Sequence, residues 1–129
     1  MEIALRTALL AWLASDPALI AQLNGIHEEA PARTSLPWLA LAASASSDWS
    51  CKTAPGREVR VALELHCRGD APEATGALVT AIEARTTGLP RSQPDFQVVS
   101  IRFLRARAEQ RAESRRAVLI EFAFRLLGT

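Results

Sequence analysis

The spacing of apolar residues changes several times along the chain, and each change marks an element. Over residues 2–14, Leu5, Ala8, Leu9, Trp12 and Leu13 recur at helical intervals, with Glu2 at the positive end of the helix dipole. This spacing predicts an amphipathic helix. Asp16-Pro17 then reads as an N-cap followed by proline at the first helical position, and Asn24-Gly25 as a left-handed stop, so a short second helix is expected over about 17–23. Ile26 to Ala30 suits a brief strand before a loop from Pro31 to Pro37.

From Trp38 the pattern becomes extended and continues to Trp49 through residues that are weak strand formers. Pro55-Gly56 signals a turn. Beyond it Val59, Val61, Leu63, Leu65 and Cys67 alternate with Arg60, Ala62, Glu64 and His66, the clearest strand of the first half. Asp70 to Glu73 carries a capping-box signature, with Asp70 as N-cap and Glu73 reaching back. A helix over 71–86 follows, with Ala74, Leu78, Ala81 and Ile82 as its apolar stripe, Gly76 read as a close approach to a sheet, and Gly88 with Pro90 as the stop. Phe96 to Ala108 is expected as a strand with Val99, Ile101 and Phe103 on one face and Val98, Ser100, Arg102 and Leu104 on the other. Ala117 to Leu127 places Val118, Ile120, Phe122, Phe124 and Leu126 opposite Leu119, Glu121, Ala123 and Arg125, and it pairs most simply with the preceding strand as a hairpin. The resulting class is α+β, a largely antiparallel sheet of about four to five strands with two main helices on one face.

Length fits this plan. The 129 residues, 49% of them hydrophobic, suit one globular domain with a core that needs no disulfide or metal. The longest apolar runs, Ala8–Ala14 and Trp38–Ala43, fall far short of the roughly 20 residues of a membrane span, so no membrane partner is expected. Residues 1–14 lack the plan of a secretory signal, which makes the cytoplasm the expected compartment.

Charge totals balance, 15 Lys+Arg against 14 Asp+Glu, so no general attraction to a polyanion is implied. The distribution is uneven. Two cations face four carboxylates in residues 1–33, six face seven in 34–95, and seven face three in 96–129. Fourteen of the cations are Arg, seven of them between Arg102 and Arg125.

Candidate chemistry is sparse. His66 and Cys67 are strand neighbours facing opposite ways, which excludes a nucleophile and base pair between them, and Cys67 is expected in the core. A Cys51–Cys67 disulfide would need about 30 Å closed to about 7 Å, so both thiols are expected free. His27 and Cys51 lack ligand-spaced partners, Glu28 and Glu29 face apart, and the six glycines form no phosphate loop. No catalytic residue, metal or cofactor is expected. What remains is the arginine set, with Arg105 and Arg107 flanking Ala106 and with Arg111, Arg115 and Arg116 at the hairpin end. Three readings stay open: a solvated surface with weak local ion pairs, a protein-docking surface that exploits the planar guanidinium, or a single-strand nucleic-acid binder. The last ranks lower because Phe96, Phe103, Phe122 and Phe124 are expected mainly on the core face.

Several stretches, taken in order, resemble one family. They are the helix Met1 to Leu13 opening with Ile-Ala-Leu-Arg, Leu23-Asn-Gly-Ile26 followed by Ala30-Pro31, and Leu36-Pro37-Trp38. The more specific ones are Trp49-Ser-Cys-Lys52 running through Gly56-Arg-Glu58, and Val99-Ser-Ile-Arg-Phe-Leu104. Together they resemble the tail-completion or tail-terminator proteins of phages, prophages and gene transfer agents. The resemblance implies a non-enzymatic structural protein: a homo-oligomeric ring, typically hexameric, that caps the tail tube, ends its polymerisation and offers the surface for head-tail joining. Implied partners are the tail tube protein and a head connector or stopper, with DNA passing through the lumen without sequence-specific binding. The implied location is the cytoplasm during assembly and then a phage-like particle. The alternative within the same particle is a head-tail connector or neck protein. On this reading the candidate interface residues are Arg102, Arg105, Arg107, Arg111, Arg115 and Arg116 of the hairpin, with Trp49, Lys52 and Arg57 of an axial loop. The chain departs from the family in ending its strand with His66-Cys67, where an aromatic is common, and in lacking glycine from Glu109 to Arg116, which implies a longer or bulged hairpin loop.

Overall fold

A computed structural model describes residues 1–31 and 33–129; Ala32, within the expected loop from Pro31 to Pro37, lies outside the described residues. The elements run α1 (Glu2–Ala14), α2 (Pro17–Gln22), β1 (Ile26–His27), β2 (Trp38–Asp48), β3 (Gly56–Arg68), α3 (Pro72–Thr87), β4 (Phe96–Arg111) and β5 (Arg115–Gly128). The five strands form one sheet in the order β1-β2-β3-β5-β4. All pairings are antiparallel except the short parallel contact of β1 with β2. This is the expected α+β class.

The core forms where alternation in the sheet meets helical periodicity. Leu5, Leu9 and Leu13, one turn apart along α1, are buried with Val59, Val61, Leu63 and Leu65 of β3 and Ile120, Phe122, Phe124 and Leu126 of β5. The helices therefore cover one face and leave the other open. Arg85 of α3 ties two of them together: its Nε and Nη2 donate to the Trp12 carbonyl at 3.0 and 2.9 Å, and its guanidinium lies 3.3 Å from the Trp12 ring centroid. Trp12 Nε1 donates back to the Arg85 carbonyl at 2.7 Å. At the other end of α1, Ser44 Oγ donates to Glu2 Oε2 at 2.6 Å and accepts from Arg6 Nη1 at 2.8 Å, which fastens the helix to β2.

Several local expectations need correction. The strand expected over Ile26 to Ala30 pairs only at Ile26 and His27. Asp16 does cap α2, accepting from the Ala18 amide at 3.0 Å, but Asn24-Gly25 is not a left-handed stop. Leu23 leaves the helix extended, because Asn24 is held elsewhere: its amide N–H donates to the Pro37 carbonyl and its side chain to those of Ser35 and Leu36. Ala71, not Asp70, is the N-cap of α3, and it makes no side-chain cap; Pro72 occupies the first turn. Gly76 faces open space, and the buried face of α3 carries Thr75, Leu78, Ile82 and Thr86.

The largest correction concerns β4. Register shifts fall at Val99 and at Leu104, each one extra residue against β5. Phe96, Val98, Ile101, Phe103, Ala106 and Ala108 consequently share the helix-bearing face, opposite Gly128, Leu126, Phe124, Phe122, Ile120 and Val118. Phe103 reaches that face beyond the cover of the helices and is 42% exposed; Val99, displaced by its bulge, is 47% exposed. Neither is the core residue that strict alternation suggests.

Candidate functional site

The same two bulges assemble the arginines. With Leu104 as an extra residue, Arg102 pairs with Ala123, Arg105 with Glu121 and Arg107 with Leu119, so all three project from the open face. Unbroken alternation would put Arg102 opposite the other two. Rows of paired residues cross this face from strand to strand. One runs Ala45, Arg60, Ala123, Arg102, the next Ala43, Ala62, Glu121, Arg105, and a third His27, Ala40, Glu64, Leu119, Arg107.

Alanines form the floor of the face. Ala40, Ala62, Ala117 and Ala123, on the face opposite the helices, are buried. A shallow groove of about 590 Å³ runs over Ala43, Ala45 and Ala62, walled by Arg60, Arg102, Arg105 and Glu121. Arg105 pairs with Glu121, which holds the guanidinium pKa above its ordinary value, and Arg107 pairs with Glu109 at 2.5 Å. Arg125 donates to Glu58 at 3.0 Å and, with Arg60 nearby, keeps that carboxyl below the usual carboxylate range.

At the hairpin end Arg68, Arg115 and Arg111 stand directly opposite one another on three adjacent strands. Like charges in such a row repel. Arg111 reaches Glu109 at 3.3 Å, and Arg116, on the helix-bearing face opposite Cys67, is half-buried. Of the longer or bulged loop expected there, the structure shows a three-residue link, Ala112 to Ser114, between the paired Arg111 and Arg115. Glu113 and Ser114 have φ of 62° and 57°, both left-handed, at the centre of a turn without glycine in which the Arg115 N–H donates to the Ala112 carbonyl at 3.4 Å. An anchor from outside the hairpin holds it, since the Gly69 N–H donates to the Ser114 carbonyl at 2.6 Å.

Trp49, Lys52 and Arg57 lie at the opposite end of the sheet. Gly56 closes their loop, with its carbonyl accepting from the Trp49 N–H at 2.9 Å and its N–H donating to Ser50 Oγ at 2.9 Å. A side chain at Gly56 would strike the Trp49 carbonyl. Trp49 is half-buried with the Arg125 guanidinium 5.4 Å from its ring, while Lys52 and Arg57 are exposed. Arg57 and Arg68 are eleven residues apart on β3, about 36 Å at about 3.3 Å per residue. The nine candidate residues thus form two ends and a connecting face, not one patch.

A polar cluster that the sequence pattern does not reveal occupies the β1–β2 side of the open face. The Trp38 ring stacks on His66 at 4.0 Å and meets His27 edge-on at 6.5 Å, while His66 Nε2 bonds to Glu64. Both cysteines are free. Cys67 is buried, which raises its thiol pKa, and the Thr53 hydroxyl beside exposed Cys51 lowers that one. Among the described residues no group of three or more His, Cys, Asp or Glu side chains is placed to hold a metal ion, and no helix is long and apolar enough to cross a membrane.

Fold and surface together define an α+β chain with helices on one sheet face and an arginine-lined, open second face. The sequence profile of the family described as tail completion protein gp17 matches residues 7–127, and the chain belongs to that family of phage-tail structural proteins. Among solved structures, a chain of the virion of a native gene transfer agent particle has the same fold, with a TM-score of 0.81 and 23% sequence identity over 97% of this chain and 96% of that one. Among curated proteins, no sequence matches.

Proposed function

We propose that this protein caps the end of a phage-like tail tube as an oligomeric ring, ends tube polymerisation and offers the surface to which the head joins. The family match over residues 7–127 carries this reading, because it spans nearly the whole chain and is specific to tail completion. The likeness in fold to a chain of a gene transfer agent virion supports it. The role is structural and non-enzymatic. Its partners are further copies of the chain, six in the ring as the resemblance implies, together with the tail tube protein and a head connector. DNA crosses the lumen without sequence-specific contacts. Assembly takes place in the cytoplasm, and the protein then stays in the particle.

The surface suits that task in physical terms. A closed ring uses a heterologous interface, in which one patch of a subunit meets a different patch of its neighbour, and complementary charge sets partner and register. The arginines of the hairpin and the loop at Trp49, Lys52 and Arg57 lie at opposite ends of the strands, so two axial surfaces are available, one toward the tube and one toward the head. Deleting the gene in the producing cell is expected to give overlong tails unattached to heads, seen by electron microscopy. Tails of normal length joined to heads would contradict the proposal.

A further inference from the structure

We propose that the sheet continues from one copy of the chain to the next, with the β4 edge of one copy against the β1–β2 edge of its neighbour and Arg107 entering a pocket between Glu29 and Glu64. This rests on the ring reading and names its subunit contact.

Both sheet edges are open over most of their length. Among the described residues, β4 has β5 on one side and on the other only the bridge of Ser92 to Gln97 at its start, and β1 covers the outer side of β2 only at Leu39 and Ala40. Edge strands are templates for further pairing unless bulges, prolines or covering elements blunt them. The two bulges of β4 fall at Val99 and Leu104, which leaves Arg105 to Arg111 regular and free of proline. The exposed side chains of Val99 and Phe103 add apolar surface to this edge.

Direction and level also agree. β2 is antiparallel to β3, β3 to β5 and β5 to β4, so β4 runs antiparallel to β2. Copies set side by side in a ring keep their orientation, and the facing edges therefore meet in the antiparallel sense already used within the sheet. One row of paired residues extends from His27 at the first edge to Arg107 at the last. The acidic pair Glu28-Glu29 follows His27 directly, and Glu29 lines a pocket with Ala40 and Glu64 of that row.

The charges are complementary. The β4 edge carries Arg102, Arg105, Arg107 and Arg111 with Glu109 as its only carboxylate. At the other edge a pocket of about 420 Å³ is lined by Glu29, Glu64 and Trp38 over Ala40, two carboxylates and an aromatic ring suited to a guanidinium. Arg6 also lines this pocket, but it is engaged by Glu28 at 2.5 Å and Ser44. Arg33 is the other cation of that stretch and is exposed in the following loop. Arg107 must give up its exposed pair with Glu109, which stabilises the isolated chain little.

The test uses the full-length protein in assembled tails. Glu29→Arg or Arg107→Glu alone is expected to cut the copies retained per tail by about tenfold, and the two combined to restore them. Should a reversal prevent folding, Glu29→Cys with Arg107→Cys in a Cys51→Ser background is to be treated with a short bis-maleimide, and a ladder of cross-linked multimers is expected. If both reversals are retained at the unsubstituted level and no ladder forms, the contact is overturned while the ring stands. Tails that hold a single copy of the unsubstituted protein would overturn both.

Discussion

Glu58 shows how a single residue links two parts of the molecule. Its carboxylate accepts from Arg125, which also lies over Trp49, so β3, β5 and the loop after β2 meet at one charge pair. The folded pKa of Glu58 is lowered first by that hydrogen bond. A lowered folded value means that the carboxylate's contribution to stability is complete above the ordinary carboxylate range and is lost as pH falls through the folded value. In Arg125→Gln the Glu58 titration midpoint is expected to move up toward the ordinary value, as followed by NMR of the side-chain carboxyl, with a change in Trp49 fluorescence. An unchanged midpoint would show that the pair does not exist in solution. The partnership could not be read in advance, since Glu58 and Arg125 are far apart in sequence and register alone makes them neighbours. By contrast Cys67 in the core and the opposite facing of His66 were legible, because β3 pairs with β5 without a register shift.

Elements with an unbroken period were the ones the sequence revealed. The helix expected over residues 2–14 is α1, and that over 71–86 is α3 within a residue at each end. β4 was legible as a strand but not in its facing, because a bulge changes parity without altering composition. The apolar spacing does carry a trace of it, in the three-residue steps from Val98 to Ile101 and from Phe103 to Ala106. The hairpin turn was hidden for a different reason. Glutamate and serine do not announce left-handed backbone, and the Gly69 contact that secures it comes from another element. Replacing Glu113-Ser114 by Asn-Gly, the pair such a turn favours, is expected to raise stability by about 1–2 kcal/mol, since each non-glycine residue in this region costs roughly 1–2 kcal/mol. A higher denaturant midpoint at unchanged slope is the sign to look for. Lower stability would mean that the turn has another form.

At the scale of the whole molecule the balanced charge conceals a direction. The acidic beginning of the chain builds one edge of the sheet and the arginine-rich end builds the other, with an open face between them. The sequence revealed this imbalance but not its geometry, because β5, not β4, pairs with β3 and leaves β4 at the far edge. An asymmetric building block of this kind suits closed assembly, and the family to which it belongs completes phage tails. A cap on the tail tube can be located by gold labelling of the tagged protein in electron micrographs of free tails and tailless heads. Label is expected at one end of each free tail and not on the heads. Label retained on tailless heads and absent from tails would contradict the cap and assign the protein to the head connector instead.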